Sequence, residues 1–202
     1  MATWTSFYVQ TANQQSLVEE LKSLSHIQQL TVGEFPSNLQ DRFVSENAPP
    51  NYLAIATTQP GWITVVHNGV AQLEEWGIHL SREFNTQVIF TAAQSVSSYY
   101  YFALYEFGEK KRELEFCYSD DSEPVIVGAP LPFEGEAPGE RDEYDGEVTY
   151  VFDFDSIERY CQQLGLIIQR DYREYEWTIL RKKGNATQTP SKNPTKPWWK
   201  FW

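Results

Sequence analysis

The feature that most constrains this chain is a long alternating segment near its middle. Between Lys110 and Ser119, Leu114, Phe116 and Tyr118 alternate with Glu113, Glu115 and Cys117. Successive side chains of a strand leave by opposite faces, so this pattern predicts one face on a core and an acidic face toward water. The run Tyr99–Phe107 precedes it across a turn at Gly108-Glu109. Together the two arms make a long hairpin, and a hairpin of this length commits the chain to an antiparallel sheet that other elements must cover.

The remaining patterns supply those elements. Trp4–Gln10, Tyr52–Thr58, Trp62–His67, Gln87–Thr91, Leu166–Arg170 and Tyr175–Leu180 read as strands, and Gln59-Pro60-Gly61 reads as a turn. A first helix follows Asn13 as N-cap, with Leu17, Val18, Leu21 and Leu24 on one face. A second sets Leu73, Trp76, Leu80 and Phe84 on one face and is closed by Asn85. A third begins at Asp155, with Glu158 completing a capping box, and ends at Gly165. Thr31–Asn51 and Asp120–Gly146 are expected to be irregular. The expectation is an α+β fold: a largely antiparallel sheet with about three helices packed mainly on one face.

At 202 residues and 41% hydrophobic, the chain has material for one full core. Residues 1–183 are expected to form a single acidic domain, 184–195 a polar linker, and 196–202 an aromatic C-terminal motif on a flexible tail. Net charge is −12, and the tail from Gly184 onward carries three lysines and no acid. The body is therefore more negative than the chain as a whole, which argues against nucleic acid as a partner. The opening Met1–Phe7 has neither a basic region nor an apolar run, so no secretory leader is expected. Cys117 and Cys161 lie far apart without a CxxC spacing and read as reduced, buried thiols in a cytoplasmic chain.

The last residues, Pro197-Trp198-Trp199-Lys200-Phe201-Trp202, place four large rings behind a segment with nothing to order it. Rings of roughly 150–250 Å² each need a cover. That cover is the chain's own body, a second copy, or a groove on another protein, where Trp anchors dominate binding energy. Trp also favours membrane interfaces, but the acidic body opposes an anionic surface, so membrane anchoring ranks last. The linker gives the motif a reach of roughly 20 Å.

A second candidate contact is the segment 134–147, where Glu134, Glu136, Glu140, Asp142, Glu143, Asp145 and Glu147 face one base, Arg141. Such a run is commonly a solvated loop; its sharper reading is a surface for a basic protein partner, whose association would be fast and salt-sensitive.

Catalytic signals are sparse. No HExxH, GxSxG, Walker A or GxGxxG occurs, so neither a metal nor a cofactor is expected. Asp120-Asp121 and the Asp153/Asp155 pair lack calcium-loop spacing. His26 ends the first helix and His79 lies within the second. His67, at a strand end before Asn68-Gly69, is the single weak catalytic candidate. The tyrosines 99, 100, 101 and 105 suit core packing or an interface. The leading expectation is a non-enzymatic interaction module, an adaptor or immunity- or inhibitor-type protein. It would use the acidic surface and the motif Trp198, Trp199, Lys200, Phe201 and Trp202. The alternative is a small enzyme with a cleft near His67, assisted by a metal on carboxylates; His67 in a concave pocket with converging acids would favour it.

Overall fold

The computed structural model describes residues 3–36, 48–119, 122–144, 147–169 and 171–182. The linker, the aromatic motif, Asp145 and Asp120-Asp121 lie outside the described residues. In chain order the elements are β1 (Thr3–Val9), α1 (Gln14–Ser25), β2 (Gln29–Gly33), β3 (Tyr52–Gln59), β4 (Trp62–His67), α2 (Leu73–Glu83), β5 (Gln87–Gln94), β6 (Tyr99–Glu106), β7 (Glu109–Cys117), β8 (Val125–Val127), β9 (Glu140–Tyr144), β10 (Glu147–Val151), α3 (Phe154–Gln163) and β11 (Trp177–Arg181). Nine strands form one sheet in the order β2-β11-β3-β4-β1-β5-β6-β7-β8, and β9 and β10 form a separate ribbon. All pairings are antiparallel. The fold is a mixed α+β single domain built on a large antiparallel sheet.

The strand period distributes the core. On β1, Phe7 and Val9 join one cluster with Leu17, Val18 and Leu21 of α1 and Trp76 and Leu80 of α2. The intervening Tyr8 joins a second cluster with Ile157, Tyr160 and Cys161 of α3. Adjacent residues of a strand point to opposite faces, so two helices cover one side of the sheet and the third packs on the other. At the β11 end, Trp177 closes the second side: its indole N–H donates to the Tyr172 carbonyl at 2.9 Å, and the rings of Phe35 and Tyr172 pack on it.

Local chemistry sets the helix ends. Asn13 Oδ1 accepts the Ser16 N–H at 3.0 Å, the expected N-cap. Asn85 adopts a φ of 48° just past α2, as a closing residue requires. After α3, Gly165 has a φ of 80°, its N–H reaches the Gln162 carbonyl, and the Leu166 N–H reaches that of Cys161. That pair of bonds is the Schellman closure. The start of α3 differs from expectation: Asp153, not Asp155, is the N-cap, accepting the Ser156 N–H at 2.9 Å. Asp155 falls in the first turn instead, where a carboxylate still suits the helix dipole.

Other differences concern strands. Leu166 and Ile168 are buried, but no strand forms there. The Gln59 side chain takes the place of a neighbouring strand, donating to the Gly165 carbonyl at 2.7 Å and accepting the Ile167 N–H at 2.8 Å. The stretch expected to be irregular after Thr31 overlaps the exposed edge strand β2, and the one before Gly146 contains β8 and β9.

A bulge in β7 reshapes one face of the sheet. Leu104 pairs with Arg112 and Tyr105 with Lys110, so Lys111 is an extra residue. A bulge re-aims the side chains beside it. Here it brings Lys110 onto the same face as Glu113, three residues on. Above that face, Gly77 of α2 lies against Tyr105, where a Cβ would come within 2.7 Å of the ring.

Candidate cavity and acidic ribbon

On the α1/α2 side of the sheet, beside the N-terminal end of α2, lies a cavity of about 100 Å³. Its floor comes from β5, β6 and β7, where Phe90 stands next to Tyr99, Tyr101 and Tyr105 and the hairpin register sets Tyr101 opposite Glu115. Its walls come from Thr5, His67 and Glu74. The acidic face of the alternating segment, expected to be wet, is thus the lining of this cavity.

Its polar groups are tightly organised. The Tyr101 hydroxyl donates to Glu113 Oε1 at 3.0 Å, and Lys110 Nζ donates to Glu113 Oε2 at 2.9 Å. The same ammonium reaches Glu74 Oε1 at 2.8 Å. Burial pushes the Glu115 carboxyl above the usual range; the Glu113 charge adds to this, and a hydrogen bond from Tyr99 opposes it. Burial also holds the Tyr99 and Tyr101 phenols well above their ordinary value, so both remain protonated donors.

His67 is 2% exposed. Its Nδ1 lies 2.8 Å from the Gly69 carbonyl. A carbonyl only accepts, so Nδ1 carries the proton and Nε2 is left as an acceptor. Burial lowers the imidazole pKa to about 4, with the Gly69 bond opposing, so the ring is neutral near pH 7. Its backbone is fixed as well: the Thr5 hydroxyl donates to the His67 carbonyl at 2.9 Å.

The structure therefore brings His67 together with Tyr99, Tyr101 and Tyr105 and with Glu74, Glu113 and Glu115, whereas Tyr100 packs on the α3 side of the sheet. Glu113 and Glu115 carry a readable signal, since they stand across a hairpin from Tyr99 and Tyr101. Glu74 and Lys110 carry none, because one depends on helix docking and the other on the bulge. The other histidines lie elsewhere: His79 Nε2 sits 2.6 Å from Glu20 Oε1, bridging α2 to α1, and His26 is the C-cap of α1.

The acidic segment 134–147 divides in two. The Glu134 side chain is 1% exposed and paired with the buried Arg112, so its carboxylate is an interior anchor and not a surface for a partner. Glu136 accepts the Tyr150 hydroxyl at 2.9 Å. Glu140, Asp142, Glu143 and Glu147 lie in the β9–β10 ribbon, where Asp142 opposes Thr149 and Glu140 opposes Val151. Glu140, Asp142 and Glu147 share one exposed face, while Arg141 lies on the other and pairs with Glu143 at 2.7 Å.

Among the described residues, no group of three or more His, Cys, Asp or Glu side chains is placed to hold a metal ion. No helix among them is long and apolar enough to cross a membrane. Comparison with known proteins returns nothing similar: no family model, no curated protein and no solved structure matches this chain.

Proposed function

We propose that this protein is a non-enzymatic interaction module, an adaptor or immunity- or inhibitor-type protein, that presents carboxylates to a basic protein partner in the cytoplasm. The observation that carries the reading is the ribbon face with Glu140, Asp142 and Glu147. It is exposed, and no ion pair neutralises Glu140 or Asp142 among the described residues. The strong net negative charge supports the same partner chemistry, since opposite fields accelerate encounter. Two free thiols agree with a reducing compartment. The motif Trp198–Trp202 supplies a second contact, to the same partner or to another copy of the chain. The test is capture of a binding partner at low and high salt with intact protein, with Glu140→Lys/Asp142→Lys, and with residues 196–202 removed. Charge reversal is expected to abolish salt-sensitive capture; a partner bound equally by all three forms, at either salt, would overturn the reading.

One observation favours the alternative, an enzyme. His67 lines a cavity into which Glu74, Glu113 and Glu115 converge, and a neutral imidazole with a free Nε2 is a general base in waiting. That reading requires turnover that His67→Gln abolishes while partner capture stays intact.

A further inference from the structure

The cavity beside α2 sets three carboxylates and an imidazole among aromatic and aliphatic side chains. His67 is buried, its Nδ1 is engaged by the Gly69 carbonyl, and its Nε2 has no hydrogen-bond partner among the described residues. Three glutamates converge on the same space, and Lys110 is the one cation among the groups bonded to them that the described residues supply. Of the three phenols that line it, two are committed to carboxylates, Tyr101 to Glu113 and Tyr99 to Glu115, while Tyr105 is hydrogen-bonded to Tyr101. An acceptor at a cavity wall with no protein donor favours a ligand N–H, and carboxylates beside ring faces attract a cation.

We propose that this cavity is a binding site for a primary alkylammonium group, which donates its N–H bonds to His67 Nε2 and the Glu115 carboxylate while its stem lies against Tyr101 and Tyr105. A quaternary ammonium has no N–H to offer Nε2, and an anion meets only like charge. At about 100 Å³ the space lies between the ~30 Å³ share of one water and the ~150 Å³ of a cavity that takes benzene. That suits an ammonium on a short chain. Glu74 lines the cavity with a side chain 59% exposed, which marks the mouth at the start of α2. The same chemistry comes from a free amine or from a lysine of a protein partner. The second source deepens the proposal of a basic partner and rests on it; the first stands without it.

The test is titration of the full chain with n-butylammonium, followed by amide chemical shifts, with 1-butanol and tetramethylammonium as controls. An Ac-Gly-Lys-Gly amide peptide forms a separate arm. n-Butylammonium is expected to shift the amides of β6, β7 and the 67–70 loop, and the controls are not. Glu115→Gln and His67→Gln are each expected to weaken binding about ten- to a hundredfold. Retained far-ultraviolet dichroism and the isosteric Tyr101→Phe variant guard against a folding defect. If the peptide binds at least as tightly as the amine, the source is a protein lysine; if only the amine binds, it is a small molecule. Absence of binding by either cation, equal binding of butanol, or binding indifferent to both substitutions would overturn the proposal. None of these outcomes depends on the ribbon, so failure here is distinct from failure of the partner reading.

Discussion

Arg112 and Glu134 form a two-pronged ion pair sealed inside the molecule: Nε donates to Oε1 at 2.8 Å and Nη2 to Oε2 at 2.5 Å, with the side chains 2% and 1% exposed. Arg112 Nη1 also donates to the Gly128 carbonyl at 2.8 Å, and Glu134 Oε1 accepts the Leu131 N–H at 3.0 Å. The pair therefore fastens the segment after β8 to the face of the sheet that carries α3.

Removing one partner leaves a buried charge without compensation, which costs about 3–5 kcal/mol. Arg112→Met is expected to lower the unfolding free energy by that amount in urea titration. Arg112→Met combined with Glu134→Leu is expected to recover a large part of it, because no orphaned charge remains. A loss below about 1 kcal/mol for the single variant would mean that water reaches the pair.

The tip of the β6–β7 hairpin carries a different kind of strain. Phe107 and Gly108 form the two-residue loop with φ values of 53° and 87°, the type I′ pattern. Glycine adopts this freely, whereas a left-handed conformation costs Phe107 roughly 1–2 kcal/mol, and its side chain is 59% exposed. Phe107→Asn is expected to stabilise the protein by about 1 kcal/mol, raising the urea midpoint with no change of slope. Since the Gly108 N–H donates to Ser81 Oγ at 3.0 Å, the tip stays docked on α2 in the variant.

These residues also show where sequence reading succeeds. The hairpin, the faces of α1 and α2, Asn13, Asn85 and Gly165 are legible because period and cap chemistry are local. The face of Glu113 and Glu115 reads as wet because alternation records only which residues share a side, and the cover on that side comes from a helix distant in sequence. Asp155 loses the cap to Asp153 because two aspartates two residues apart both fit a helix start, and composition does not say which one accepts the N–H three residues on. Lys110 reaches the cavity's Glu113 only through the bulge at Lys111, which no residue type announces. His67 is legible as a candidate position, but its tautomer and burial are not.

The thiols give a simple check of burial. Cys161 is fully buried and burial pushes its thiol well above its ordinary value, so it is unreactive in the native state. Cys117 is half-buried near the Ser97 carbonyl. Titration with a thiol reagent at pH 8 is expected to modify Cys117 alone in the folded protein and both cysteines in guanidinium. Fast reaction of Cys161 under native conditions would mean that α3 opens from the sheet.

His67 links the cavity to pH. Its folded pKa, about 4, lies below its unfolded value near 6.5. Between these values the unfolded chain binds the extra proton, so stability rises with pH across the window. The contribution is fully present above about pH 6.5 and is lost as pH falls toward 4, by up to roughly 3 kcal/mol. Urea titrations at pH 7 and pH 5 are expected to show this loss in the native sequence and a smaller one in His67→Gln. An identical pH response in both would place the origin elsewhere.

Glu115 acts with the opposite sign. Its carboxyl is raised in the folded state, first by burial and then by Glu113, so the native chain holds that proton more tightly than the unfolded one. Stability from this group is greatest at low pH and declines as pH rises through the raised value. Once ionised, the carboxylate is a burden that no ion pair among the described residues relieves. Glu115→Gln keeps the shape and removes the charge, and is expected to raise the melting temperature at pH 7 while leaving it unchanged near pH 4. The same substitution is expected to weaken n-butylammonium binding, and ligand binding to the native state in turn stabilises the parent protein. A variant both more stable and less able to bind is what a group retained for recognition produces. A variant less stable at pH 7 would instead make Glu115 a structural acid.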